Sequence, residues 1–210
     1  MRASNRRAVA VLAILAGASA CTSLLPGGEE TPESLYSLTA PSDFPQLEQQ
    51  KLPWALVVDE PTAAAGLDTE RIAVRQTPLR LRYYADARWV EPAPQMVRDL
   101  IVGAFENADR LKGVGQSSVT LNPEYRLSTR LAEFEAVYPD GAEVPEVRVR
   151  IDATLVRELG QDVVASRDFE ASREAASVAV ADVVKAYNQA LDTVLRDLVW
   201  WTLTAPQATS

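Results

Sequence analysis

Residues 147–155 alternate without a break. Val147, Val149, Ile151, Ala153 and Leu155 are apolar, and Arg148, Arg150, Asp152 and Thr154 between them are polar. Successive side chains of a strand point to opposite faces, so this pattern predicts a strand with one face buried and one wet. A second feature answers it. Val180, Val184, Tyr187, Leu191, Val194, Leu198 and Trp201 recur at alternating steps of four and three. That spacing draws a single apolar stripe along a helix. A helix laid on a sheet satisfies both patterns, and a coiled-coil seam with a partner is the other use of such a stripe. The expected fold class is α/β: one domain, a mixed and largely antiparallel sheet packed against two main helices.

The remaining elements follow from local pattern. Leu35–Leu38 is short and extended, and residues 40–53 read as a polar linker punctuated by proline. Trp54-Ala-Leu-Val-Val58 is a buried strand by composition. Arg71–Arg75 and Leu79–Tyr84 alternate, which predicts Leu79, Leu81 and Tyr83 on one face and Arg80, Arg82 and Tyr84 on the other. Ala87–Val90 continues extended, with Trp89 a core residue. Pro92 and Pro94 open a helix to about Asn107, and Gly113 and Gly115 break the chain. Tyr125–Leu131 is a strand whose alternation fails at Ala132, because Phe134 falls on the other phase; a bulge is expected there. A last strand covers Asp162–Glu170, and the final helix covers about Ala175–Trp201. Of Trp200 and Trp201, the core is the preferred place, with one ring near a lipid interface as the alternative.

Cys21 is the single cysteine. Arg2, Arg6 and Arg7 precede it, then an apolar run Ala8–Ala16, then Gly17, Ala18, Ser19 and Ala20. A basic head, a short apolar run and small residues form the order of a secretory leader. The run is far shorter than the ~20 residues that cross a bilayer. Arg6-Arg7 reads as an ordinary positive head rather than a twin-arginine signal. A cysteine directly after the small residues resembles a bacterial lipobox, whose sulfur takes a diacylglyceryl group before the leader is cut and the new amine is acylated. Ala18 stands where leucine is usual, and Ala18-Ser19-Ala20 also fits the A-x-A cleavage pattern, which would leave a free amino-terminal thiol. The expected boundaries are a leader at 1–20, lipidated Cys21 and a flexible tether to 34, a folded domain at 35–203 and a disordered tail at 204–210. Such a tether spans on the order of 20 Å as a coil.

Composition removes several chemistries. The chain has no histidine, which excludes Ser-His-Asp and Cys-His catalysis and His-ligated zinc. Lys51, Lys112 and Lys185 sit in a linker, after a helix and on a solvent face, so none is placed for a Ser-Lys mechanism. The many carboxylates read as a solvated acidic surface rather than a glycosidase pair. Gly113-Val-Gly115 lacks the rest of a phosphate loop. Loss of the leader takes three arginines and no acid, so the net charge falls from −8 to −11. That charge repels nucleic acid and anionic head groups. With Cys21 at the cut site, no disulfide staples the fold. No enzyme activity, metal or cofactor is expected beyond the covalent lipid on Cys21.

The segments together resemble a family. They are the leader with Cys21, Tyr36-Ser-Leu38, Leu56-Val-Val58 with Pro61, Gly66-Leu67-Asp68, Arg71-Ile72, Leu81-Arg-Tyr-Tyr84, Ala87-Arg-Trp89, the proline-led helix, the meander and the Trp-ended helix. This order is similar to that of the ABC-type transport auxiliary lipoproteins over about residues 35–201, most specifically from Gly66 to Trp89. The resemblance implies a mixed sheet on helices, anchored at the periplasmic face of the outer membrane. It implies partnership with an MCE-type lipid-binding protein, an ABC permease and an ATPase that move lipid between membranes. Thr22 rather than Asp after Cys21 favours the outer membrane in lipoprotein sorting. The expected role is docking of partner proteins, and the competing role is a periplasmic module that binds a lipid or another hydrophobic ligand. Association with further copies of the chain is compatible with either. For docking, Arg80, Arg82, Tyr84 and Arg88 form the candidate partner-binding stripe, against a plain solvated strand face with cross-strand ion pairs.

Overall fold

The computed structural model describes residues 33–45, 50–77, 79–116, 122–139 and 141–208. The leader, Cys21 and the tether to residue 32 lie outside them. In chain order the elements are β1 (Ser34–Tyr36), β2 (Leu52–Val58), β3 (Thr62–Ala63), β4 (Arg71–Thr77), β5 (Arg80–Trp89), α1 (Ala93–Ala108), β6 (Leu111–Gly115), β7 (Tyr125–Val137), β8 (Glu146–Arg157), β9 (Asp162–Glu174) and α2 (Val180–Ala208).

The long strands β7, β8 and β9 form an antiparallel meander, paired from Tyr125↔Arg157 to Val137↔Glu146 and from Glu146↔Glu174 to Arg157↔Asp162. On β8 the alternation holds as expected: Val147, Val149, Ile151, Ala153 and Leu155 are buried. Opposite them stand Leu127, Thr129, Leu131, Phe134 and Ala136. The register shifts between Leu131 and Glu133, which is the expected bulge at Ala132. The extra residue returns Phe134 to the core side.

The other edge of β7 accepts three short strands in succession, all parallel: β2 at Tyr125–Leu127, β3 at Arg130–Leu131 and β4 at Ala136–Val137. Outside β2 lies β6, and outside β4 lie β5 and then β1. The sheet is therefore mixed, with its long ladders antiparallel. The glycine pair expected to break the chain instead sits in β6, where Ala55 pairs with Gly113 and Val57 with Gly115. Ladder bonds are made by backbone, and a glycine in a strand forfeits side-chain packing rather than those bonds.

In α1 the buried face is Met96, Val97, Ile101, Ala104 and Phe105. Its end is set by Asp109 at φ 48, whose N–H turns back to the carbonyls of Phe105 and Glu106. The final helix differs from expectation at both ends. Residues 175–179 stay outside it: the Ala175 N–H pairs with the Pro145 carbonyl, and the Ser177 hydroxyl accepts from the Ala179 N–H while donating to Asp182. Those local bonds compete with the helical ladder. At the far end α2 runs through residues 204–208, placed above in a tail, and passes Pro206. Leu203 and Ala205 are buried there, and packing outweighs the bond that the proline cannot make.

The stripe of α2 is buried against the sheet. Tyr187, Leu191, Val194 and Leu198 have essentially no exposure, and β8 and β9 are the strands beneath. A helix seam with a partner is not how this stripe is used in the folded chain. Trp89, Phe134 and Tyr187 pack ring on ring at 4.9–5.6 Å between centroids. Trp201 sits edge-on to Phe169 at 5.5 Å, whereas Trp200 is 46% exposed.

Candidate functional site

The stripe of candidate residues lies on the β4–β5 hairpin. Ala73 pairs with Tyr83, Val74 with Arg82 and Arg75 with Leu81. Val74 in turn pairs with Ala136. Paired residues share a face, so Val74, Arg82 and Tyr84 lie on the side of Phe134 and α2, and Leu81 and Tyr83 lie on the other. The two sets divide between the faces as alternation predicts, but the side of Arg82 and Tyr84 is the one that faces the core. Leu81 and Tyr83 are half-buried beneath the Gly66 loop: the Tyr83 hydroxyl donates to the Gly66 carbonyl at 3.1 Å. Arg71 lies over the Tyr83 ring at 3.7 Å, a cation–π contact. A Cβ on Gly66 would stand 2.6 Å from Leu81 Cδ2, so a side chain there would push the leucine aside.

Tyr84 points into the protein. It packs against the core, and burial together with the neighbouring Tyr138 pushes its phenol well above the ordinary value. Beside it Tyr187 is wholly buried, donates to the Ala73 carbonyl at 3.0 Å, and is likewise pushed up, first by burial and then by Tyr84. Arg88 is also spoken for, with Glu33 at 2.9 Å and Glu70 at 3.0 Å. A break of phase separates it from Arg80 and Arg82. Asp86 takes φ 55, and the register jumps between Ala73↔Tyr83 and Arg71↔Arg88. The expected four-residue stripe is therefore not one surface.

Two of its members do come together. Arg80 and Arg82 are exposed at the hairpin tip, and among the described residues neither side chain has an ion pair or hydrogen bond. Leu79 beside them is 98% exposed, although alternation grouped it with the half-buried Leu81 and Tyr83. The sequence did hold a signal for this: Thr77-Pro78 between two alternating runs marks a turn, and the residue after it belongs to the tip. By contrast several arginines on the outer face of the meander are paired. Arg150 meets Asp152 and Asp168, Arg148 meets Glu146, and Arg126 meets Asp59 and Glu158.

Two surface cavities accompany this face. One, of about 450 Å³, is lined by Glu133, Glu146, Arg148, Arg150, Glu170 and Ser172. The other, of about 510 Å³, lies between Asn122, Tyr125, Arg157 and Leu159. Among the described residues no cluster of His, Cys, Asp or Glu is placed to hold a metal, and no helix is long and apolar enough to cross a membrane.

A family model for the ABC-type transport auxiliary lipoprotein component matches residues 36–199. An uncharacterized protein of Bradyrhizobium diazoefficiens is 29% identical over 195 residues, 91% of this chain and 50% of its own length. The chain thus spans about half of that curated relative. The crystal structure of a Xanthomonas campestris protein is 34% identical, with TM-score 0.77, covering 83% of this chain and 97% of that one. A further crystal structure of an uncharacterized protein matches with TM-score 0.64 over 81% of this chain and 98% of its own, at 14% identity, which shows a shared fold alone.

Proposed function

Since the chain belongs to the ABC-type transport auxiliary lipoprotein family, we propose that it is a lipid-anchored accessory subunit that docks partner proteins of an intermembrane lipid transport system. The anchor is the acylated Cys21, and the membrane is the outer membrane, with the domain on its periplasmic face. The partners are an MCE-type lipid-binding protein together with an ABC permease and ATPase. The observation that carries this reading is the family match across residues 36–199, nearly the whole described domain.

Docking is favoured over carriage of a lipid by the state of the interior. A carrier encloses its ligand in an apolar cavity. Here the space between α2 and the sheet is occupied by Trp89, Phe134, Tyr187, Leu191 and Leu198, all at most 2% exposed. The charged cavity of about 450 Å³ described above offers carboxylates and guanidiniums, which suit no acyl chain.

The test is purification of the full chain from its host's membranes. Docking is supported if the MCE-type protein, permease and ATPase co-purify and the isolated chain carries no lipid besides its covalent anchor in native mass spectrometry. Stoichiometric lipid retained by the Cys21→Ser chain would replace docking with carriage.

A further inference from the structure

We propose that the outer edge of β5, from Arg80 to Ala85, receives an extended acidic segment of the partner protein as an added strand. This rests on the docking reading and names the surface that would serve it. On its inner side β5 is paired with β4. On its outer side β1 covers only the last residues, Ser34↔Ala87 to Tyr36↔Trp89. Among the described residues nothing pairs with the stretch before Ala87 on that side. Its outward N–H and C=O groups are a template for another strand.

The other edges of the sheet are short or guarded. β1 has three residues and β6 five. The long edge β9 carries Asp162, Arg167, Asp168, Glu170, Arg173 and Glu174, charges of both signs. A mixed-charge edge repels most strands in most registers. The open part of β5 is different in kind. Its charged side chains are Arg80 and Arg82 alone, both exposed and neither with a side-chain partner among the described residues. Asp86 closes it, where φ 55 bends the strand away.

Arg80 and Arg82 stand two residues apart on one face, hence about 7 Å apart along the strand. A partner strand with carboxylates two residues apart would place one before each guanidinium, and such pairs are charge-assisted and often bidentate. Leu79, 98% exposed beside them, adds an apolar contact at the same end. Arg71, Arg110, Arg167 and Arg173 lack an ion pair but are engaged by rings or by hydrogen bonds. Among the described residues Lys112 and Arg157 are the other cations whose side chains have neither, and they lie singly on β6 and at the end of β8. On a chain of net charge −8 an acidic segment is repelled elsewhere, so the two arginines select place as well as partner.

Backbone hydrogen exchange of the full chain in detergent, alone and with the purified MCE-type protein, tests this. The expected result is exchange slowed about tenfold or more at the outward-facing amides of Arg80–Ala85 in the complex, those not bonded to β4. Arg80→Glu with Arg82→Glu should weaken binding about tenfold or more and leave the melting temperature unchanged, since neither side chain has a partner to lose. The proposal is overturned if the complex forms with those amides unprotected, or if the double variant binds as the wild type does. It is also overturned if the amides are already protected in the chain alone by a second copy. Protection by phosphatidylglycerol vesicles, with none by the protein, would assign the edge to a lipid surface instead. Absence of any complex with the wild-type chain would remove the docking reading itself, a result distinct from a complex formed elsewhere.

Discussion

Arg75 and Glu135 hold each other through two parallel bonds, Nε to Oε1 and Nη2 to Oε2, each 2.8 Å long. They join β4 to β7 where those strands run parallel, on the face opposite Phe134 and Ala136. The bond to Glu135 is also the main reason that the Arg75 guanidinium is held above its ordinary value. Glu135 is buried at 8% exposure and the Arg75 side chain is 31% exposed, so the pair is partly shielded from water. Glu135→Ala should cost about 2 kcal/mol, the range for a charge-assisted bond. Arg75→Met with Glu135→Leu should cost less than the single variant, because both charges of the pair are removed together. Urea unfolding of the three proteins decides; a double variant as weak as Glu135→Ala would place the cost elsewhere.

Alkaline stability should depend on two buried phenols. The unfolded chain ionises Tyr84 and Tyr187 near pH 10, whereas burial raises both in the folded protein. Their contribution is fully present below pH 10 and is lost as pH rises past it towards the folded values, because the unfolded state then binds fewer protons. Phenolate absorbance from these two tyrosines should appear only with unfolding. Tyr84→Phe with Tyr187→Phe should flatten the alkaline loss, at a cost of about 1 kcal/mol at neutral pH for the bond from Tyr187 to the Ala73 carbonyl. An unchanged alkaline profile in the double variant would contradict this.

Gly66 and Leu81 should be coupled. A Cβ at position 66 would meet Leu81 Cδ2 at 2.6 Å, so Gly66→Ala forces the leucine aside and should cost about 1 kcal/mol. In a Leu81→Ala background the same change should cost nearly nothing. Equal costs in both backgrounds, measured by thermal unfolding, would mean that the turn's backbone and not this contact demands glycine.

Leu191 tests the helix–sheet interface. It has no exposure, and Leu191→Asp puts a carboxylate among apolar side chains. An uncompensated buried charge costs several kcal/mol, against a typical stability of about 5–15 kcal/mol. Folded protein should be lost. A circular dichroism melt unchanged from wild type would show that the stripe is not buried in solution.

Cys21→Ser tests the anchor. The sulfur is the acceptor in the lipobox reading, so metabolic labelling with a fatty-acid analogue should mark the wild type and not the variant. Equal labelling of both would leave simple secretion as the route.

Much of the fold was legible because it depends on near neighbours in sequence. The buried face of β8, the bulge at Ala132 and the stripe of α2 all follow from the period of apolar residues, and a period is local. Cys21 is likewise a motif read along the chain, as is the exclusion of histidine chemistry. What lay beyond the sequence was decided by partners distant in it. Gly113 and Gly115 became a strand because β2 was there to pair with them. Residues 204–208 remained helical with Leu203 and Ala205 packed into the core beside them. Tyr84 and Arg88 left the candidate surface, one drawn into the core beside Tyr138 and Tyr187, the other taken by Glu33 and Glu70. Alternation says that Arg82 and Tyr84 share a face; it cannot say which face α2 will cover. That choice belongs to the whole apolar surface, which lowers its free energy by covering Tyr84 and leaving Arg80 and Arg82 in water.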